Sequence, residues 1–234
     1  MDKEQVLGKM DLKSIDELKE IIGQGDLEYA DVIGESNFFI ISKENTRYGK
    51  PTISFIDMYE DHRLIELSLD YNDRPKNCKA YLTIKSLAYI RGKYRKKPLN
   101  WELVAGGEFC DYFHGGHVLG YSLANQLLKE CYIYDKYKKL LFIQTAWSNM
   151  NFCGRNRFSQ WYFEEKIKRK LENGGAIFYK SELIYKSADD KIPLGIHIQS
   201  LSDDGELEIN VFIPNIDTLL KIDYREGKIY NMLD

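Results

Sequence analysis

Two of the chain's four histidines stand three residues apart in YFHGGHVLGY (112–121), around a Gly-Gly pair. Glycines let a backbone turn sharply or approach a ligand closely, and imidazole takes or gives a proton near neutral pH. His114 and His117 are therefore candidates for a metal site or a general base. The plainer reading is a Gly-rich turn that carries imidazoles. His62 lies in the charged loop YEDHR, and His197 sits in the alternating run IPLGIHIQS, where a structural role is expected. Asn149 stands just past the end of the apolar run KKLLFIQTA. An amide oxygen at such a place can ligate a hard cation that keeps most of its waters. Glu164 and Lys168 are one helical turn apart, which suits either an ordinary surface ion pair or two charges serving one site.

Elements must hold these groups in place. SIDELKEII (14–22) predicts a short helix with Ser14 as N-cap and Glu17 three residues on. The β-rich runs NFFIIS (37–42), TISFIDM (52–58) and RLIELSL (63–69) predict an antiparallel meander. In NCKAYLTIKSLAYIRGKY (77–94) the apolar positions fall near helical spacing and predict a helix. KKLLFIQTA (138–146) predicts a short buried strand. NRFSQWYFEEKIKRKLENGG (156–175) predicts a helix, with Phe158, Trp161, Tyr162, Ile167 and Leu171 at helical spacings and Gly174 as its stop. AIFYKSELIY, IPLGIHIQS and ELEINVFIPN predict three more strands joined by polar turns. The fold class is α+β, with an antiparallel sheet core.

Length and charge narrow the function classes. The 234 residues suffice for one large domain with a sizeable core. No apolar run approaches the ~18 to 20 residues of a membrane span, so no membrane partner is expected. The charged start MDKEQVLGKM is not a signal peptide. The chain is expected to be cytoplasmic, exported by another route, or secreted with its leader removed. Cys78, Cys110, Cys131 and Cys153 include no C-x-x-C pair and read as buried free thiols. The net charge of −3 hides an asymmetry. Residues 1–75 carry 9 Lys/Arg against 17 Asp/Glu, a balance of −8, and the remainder carries 24 against 19, a balance of +5. The basic runs RGKYRKK (91–97) and KIKRK (166–170) are either solvated faces or a polyanion-binding surface.

The order of the pieces carries more than any one of them. A Gly-His, then a buried strand ending Q-T-A-W-x-N, then a helix with Glu and a cation four apart, resembles the ββα-metal (His-Me finger) nuclease site. More narrowly, GGHVLGYSLANQ, LLFIQTAWSNMN, WYFEEKIKRKL, GIHIQSLSDDGELEINVFIPN and KIDYREGKIY resemble, in order, the DNA/RNA non-specific endonuclease family. Within it they look most like the bacterial nucleases of DNA uptake. The resemblance covers residues 77–234, a nuclease-like core. Residues 1–76 are an acidic N-terminal region, either a subdomain or the first strands of the same domain, where a protein partner or inhibitor would bind.

The resemblance implies His117 as general base, the last residue of the family's D-R-G-H motif. It implies Asn149 as the sole direct protein ligand of Mg²⁺ (or Mn²⁺), and Glu164 as the holder of metal-bound water. Lys168 stands where the family usually has an arginine facing the scissile phosphate, and Arg91, Lys93, Arg95 and Lys96 match a phosphate-holding region. The implied substrate is DNA, with RNA also open, and the implied products carry 5′-phosphates. At the altered motif positions, His114 lacks the negative charge of the family's aspartate and Gly115 lacks the charge of its arginine. That departure motivates an alternative, an impaired member of the fold that binds nucleic acid or a protein. A zinc enzyme built on His114 and His117 is a third reading, and it has no evident third ligand in the sequence.

Overall fold

The computed structural model describes residues 1–30, 37–44, 46–53, 65–87, 96–124, 136–150 and 156–232. Among them, seven strands form one antiparallel sheet. In chain order these are β1 (Leu27–Tyr29), β2 (Phe39–Ile41), β3 (Ile65–Leu69), β4 (Pro75–Leu82), β7 (Ile177–Ile184), β8 (Gly195–Ser202) and β9 (Glu208–Pro214). Side by side they run β1-β2-β9-β8-β7-β4-β3. Two smaller antiparallel pairs join β5 (Phe113–His117) to β6 (Leu141–Thr145), and β10 (Leu220–Asp223) to β11 (Lys228–Asn231). The helices that matter below are α1 (Lys3–Lys9), α2 (Ile15–Ile22), the single turn α3 (Ala146–Asn149) and α4 (Gln160–Glu172). The fold is α+β with a large antiparallel sheet, as the sequence predicts.

Alternation along the strands gives the sheet two apolar faces. Ile40, Val211, Ile213, Tyr179, Ile196 and Ile198 face one core, where α4 adds Phe163, Ile167 and Leu171. Phe39, Ile41 and Phe212 face the other, covered by Val6, Leu7 and Met10 of the α1 region and Leu18 of α2. Helix α1 begins on a capping box that sequence reading overlooked. Asp2 accepts from the Gln5 backbone N–H at 2.8 Å, and the Gln5 side chain accepts from Asp2 N–H at 3.0 Å. Helix α2 starts on Ser14, whose hydroxyl accepts from Glu17 N–H at 3.3 Å, and ends at Gly23 with φ 71°.

Two predicted elements are corrected. The runs at 37–42 and 63–69 are strands, but they are not neighbours in a meander. β2 pairs with β1 and β9, while β3 pairs with β4 at the far side of the sheet. The β7-β8-β9 hairpins occupy the space between, because their short polar turns let them pair locally. Most of the run at 52–58 lies outside the described residues. The segment from 77 opens as strand, not helix: β4 turns Cys78, Ala80 and Leu82 inward at period two and leaves Lys79 and Tyr81 less buried. A 3₁₀ turn (Ile84–Ser86) follows.

Because β1, β2 and β3 lie at both ends of one sheet, deleting residues 1–75 is expected to give insoluble or unfolded protein. Phe38, Phe39, Ile40 and Ile41 are all buried. Burial of such side chains contributes roughly 1.5–3 kcal/mol each, together comparable with a typical total stability of roughly 5–15 kcal/mol. Solubility and circular dichroism of the truncated chain check this, and a soluble, cooperatively folding fragment would refute it.

Candidate functional site

The β5–β6 pair is held against the main sheet from two sides. Val118, which follows β5, accepts hydrogen bonds through its carbonyl from Tyr179 OH at 2.9 Å and Ser181 Oγ at 2.5 Å, both on β7. At the other end, buried Asn215 accepts from Thr145 N–H at 2.8 Å and donates to Ile143 O at 2.9 Å. The strand end that carries His117 is therefore fixed to the sheet, and so is the strand that leads into α3 and Asn149. Asn156 ties the next step: its amide donates to Trp147 O at 2.8 Å, and its oxygen accepts from Phe158 N–H at 3.1 Å. That links α3 to the entry of α4.

A relay of buried amides then joins strand and helix. Gln160 donates to His117 O at 2.7 Å and to Glu164 Oε1 at 2.7 Å, and accepts from Gln144 at 3.0 Å. Gln144 also donates to Ser148 Oγ at 3.3 Å. Both glutamines are buried. A buried polar network of this kind specifies one geometry, since breaking any link strands a polar group away from water. Two glycines make room for it. A Cβ on Gly116 would lie 2.2 Å from Gln144 Oε1, and one on Gly120 would lie 2.3 Å from Glu164 Oε2.

Glu164 is 8% exposed, and its carboxyl is pushed up to about 7. Burial is the main cause, opposed by hydrogen bonds from Gln160 and the Gly120 backbone and reinforced by the Glu165 charge. The raised value has a consequence for stability. In the unfolded chain the carboxyl ionises near 4.5, so between about pH 4.5 and 7 the folded protein binds the extra proton. Stability therefore falls as pH rises through that window and levels off above it. In metal-free protein the Glu164→Gln variant is expected to lose this component, at most roughly 3 kcal/mol from a shift of this size. Urea denaturation of both proteins at pH 5 and pH 8 measures it, and identical pH dependence would refute it.

Of the two readings of Glu164 and Lys168, the surface ion pair gives way: Glu164 turns inward to Gln160. Lys168 instead lies 3.9 Å from Glu165 and 3.9 Å from Glu172, and is about a third exposed. Two neighbouring cations of KIKRK, Lys166 and Lys170, are committed within the fold. Lys166 lies over the Tyr48 and Tyr162 rings at 5.1 and 4.8 Å, and Lys170 pairs with Asp204 and Glu206. Of the other basic run, Arg91, Lys93 and Arg95 lie outside the described residues. Lys96 lies over the Tyr137 ring at 5.0 Å. The end of that run comes close to the altered motif, since Pro98 Cδ is 3.4 Å from where a Gly115 Cβ would stand.

His114 sits opposite Gln144 across the β5–β6 pair, and its Nδ1 is 3.2 Å from Asn149 Nδ2. His197 is structural as expected: it is buried in β8, and its Nε2 is 2.6 Å from Asn210 Oδ1. Burial holds its pKa below the usual histidine range. It shares a sheet face with its register partner Glu182, opposite the face of Ser181 that holds Val118. His62 lies outside the described residues. Cys78 is a buried thiol and Cys110 a partly exposed one, neither in a disulfide, while Cys131 and Cys153 lie outside the described residues. Sequence reasoning missed Gln160 and Asn156, and carried Gln144 and Gly120 only as letters of the runs that resemble the nuclease family, with no role assigned. The one local signal was Gln160, a turn before Glu164 on α4.

The candidate residues offer donors of the kind a divalent cation takes. An amide oxygen from Asn149 and a carboxyl from Glu164 are hard oxygen donors, which suit an ion that keeps several waters. Among the described residues no three His, Cys, Asp or Glu side chains gather to form the closed N/S set typical of structural zinc. Also among the described residues, no helix is long and apolar enough to cross a membrane.

No protein-family model matches the chain. Solved structures do. The chain matches NucA from Streptococcus agalactiae with no metal bound at 22% identity and TM-score 0.72, covering 93% of this chain and 95% of that one. It matches the same NucA with a magnesium ion bound at 22% identity and TM-score 0.72, covering 96% and 99%. It is similar to Sda1 nuclease with bound zinc ion at 18% identity and TM-score 0.54, covering 71% and 81%. The chain thus shares the fold of NucA over more than nine-tenths of its length.

Proposed function

We propose that the protein is a metal-dependent, sequence-non-specific endonuclease that hydrolyses phosphodiester bonds of DNA, and of RNA by the same chemistry. The observation that carries this reading is the Gln160 relay, which ties the backbone of His117 to the carboxyl of Glu164 within a strand-strand-helix unit. In this reading the His117 imidazole takes the proton of the attacking water, work that a neutral imidazole performs near pH 7. Asn149 supplies the direct oxygen ligand of Mg²⁺ or Mn²⁺, and Glu164 orients water around that ion. The bound ion supplies charge neutralisation at the scissile phosphate and the leaving 3′-oxygen.

Lys168 turns from its loose carboxylate neighbours to the phosphate, where its charge stabilises the pentacovalent arrangement. Arg91, Lys93, Arg95 and Lys96 hold flanking phosphates, and recognition through the backbone leaves little base preference. An extracellular place of action accords with another similar structure, an extracellular endonuclease (19% identity, TM-score 0.53, covering 71% of this chain and 85% of that one). Incubation of the purified chain with supercoiled plasmid tests the reading. Nicked and linear products are expected with Mg²⁺ and none with excess EDTA. Binding of DNA without cleavage under any divalent ion would point instead to a binding module.

A further inference from the structure

The motif HGGH differs from the family's D-R-G-H at its first two positions, and the structure gives the first of these differences a role. His114 Nδ1 and Asn149 Nδ2 are 3.2 Å apart, although the residues lie 35 positions apart in sequence. An amide nitrogen can only donate, so the ring nitrogen facing it must carry its lone pair outward, with the imidazole proton on Nε2. The two ends of a carboxamide are alike in size and opposite in chemistry, and which of them faces a cation decides whether the residue is a ligand. We propose that His114 is a positioning residue that holds Asn149 by its amide nitrogen and thereby presents the amide oxygen to a divalent cation.

This inference rests on Asn149 being the metal ligand. Its neighbours support it. Asn149 closes α3, a single turn capped by Thr145, so its backbone is set while its side-chain torsions need a partner. His114 is fixed in β5 through its register with Gln144, a member of the buried relay. A ligand held by a second residue binds metal more tightly because the orientation is already chosen, and loss of such a partner typically weakens metal affinity by 10–100-fold. Where the family motif carries an aspartate, His114 offers a ring nitrogen to the Asn149 amide.

Two measurements on the full chain test the proposal, one of them independent of activity. In metal-free ¹⁵N-labelled protein, the Asn149 side-chain NH₂ should be shifted and protected from exchange. It should move to the position of a solvated amide in His114→Phe and stay put in His114→Gln, whose side-chain oxygen can accept the same bond. In the wild type the His114 ring should show its proton on Nε2, which needs no variant and so covers the case in which His114→Phe does not fold. In the second measurement, plasmid cleavage is followed against Mg²⁺ concentration. His114→Phe should raise the half-saturating Mg²⁺ about 10- to 100-fold, keep most of the rate at saturation, and be rescued by His114→Gln. An unchanged Asn149 signal in His114→Phe overturns the proposal, as does a ring proton on Nδ1. So does an unchanged Mg²⁺ requirement in His114→Phe when Asn149→Ala raises it. If Asn149→Ala itself leaves the Mg²⁺ requirement unchanged, the assignment of the ligand fails and the inference falls with it, while the amide signal still reports on the contact.

Discussion

Replacement of His117 by alanine is expected to lower plasmid cleavage by about 10²–10⁴-fold, the usual contribution of a positioned general base. The fold should survive the change. The bond from Gln160 to this residue goes to its backbone carbonyl, which alanine retains, and the pairing of His117 with Leu141 across β5–β6 is backbone to backbone. The amide relay and the Glu164 carboxyl thus keep their partners, and the loss falls on the imidazole. Turnover at saturating Mg²⁺, with thermal unfolding as the control, measures the effect. A folded His117→Ala protein that cleaves at the wild-type rate would remove His117 from the mechanism.

Asn149→Ala is expected to reduce cleavage at fixed low-millimolar Mg²⁺ by on the order of 100-fold, since ion-assisted charge stabilisation supplies several kcal/mol. Part of the loss should be recoverable at high Mg²⁺, because water can occupy the vacated position. Stability should change little: the side chain's recorded bond is to His114, and both partners lie near the end of the β5–β6 pair rather than in its core. Calorimetric titration with Mn²⁺ beside the activity assay separates weaker binding from slower chemistry. Wild-type affinity and wild-type rate together would show that the ion is held elsewhere. The opposite change at Gly120 should act through Glu164. Any Cβ there overlaps the buried carboxyl, so the network must shift to admit it.

Much of the frame could be read locally. The helix α4 announces itself by spacing and by Gly174, and β6 by an apolar run buried on both faces. β7, β8 and β9 are β-rich runs separated by polar turns, so each forms a hairpin with the next. The segment at 77–94 misled because Cys78, Ala80 and Leu82 satisfy a strand while the apolar residues beyond them fall near helical spacing. Only the pairing of β4 with both β3 and β7 decides in favour of strand there. Strand order was equally invisible, since β2 finds β9 across more than 160 residues of chain and no local pattern encodes that partner.

The same division runs through the candidate site. The ordered motifs, through their resemblance to the endonuclease family, were what singled out His117, Asn149 and Glu164 as candidates. Sequence alone also showed that HGGH departs from the family motif. It could not show what His114 touches, that Glu164 turns inward rather than pairing with Lys168, or that Gln144 and Gln160 join the strand to the helix. Those facts depend on which groups meet once the β5–β6 pair and α4 pack against the sheet. Chemical capacity belongs to a side chain and travels with the sequence. Orientation, burial and a raised carboxyl pKa belong to the surroundings, and only the packed fold supplies them.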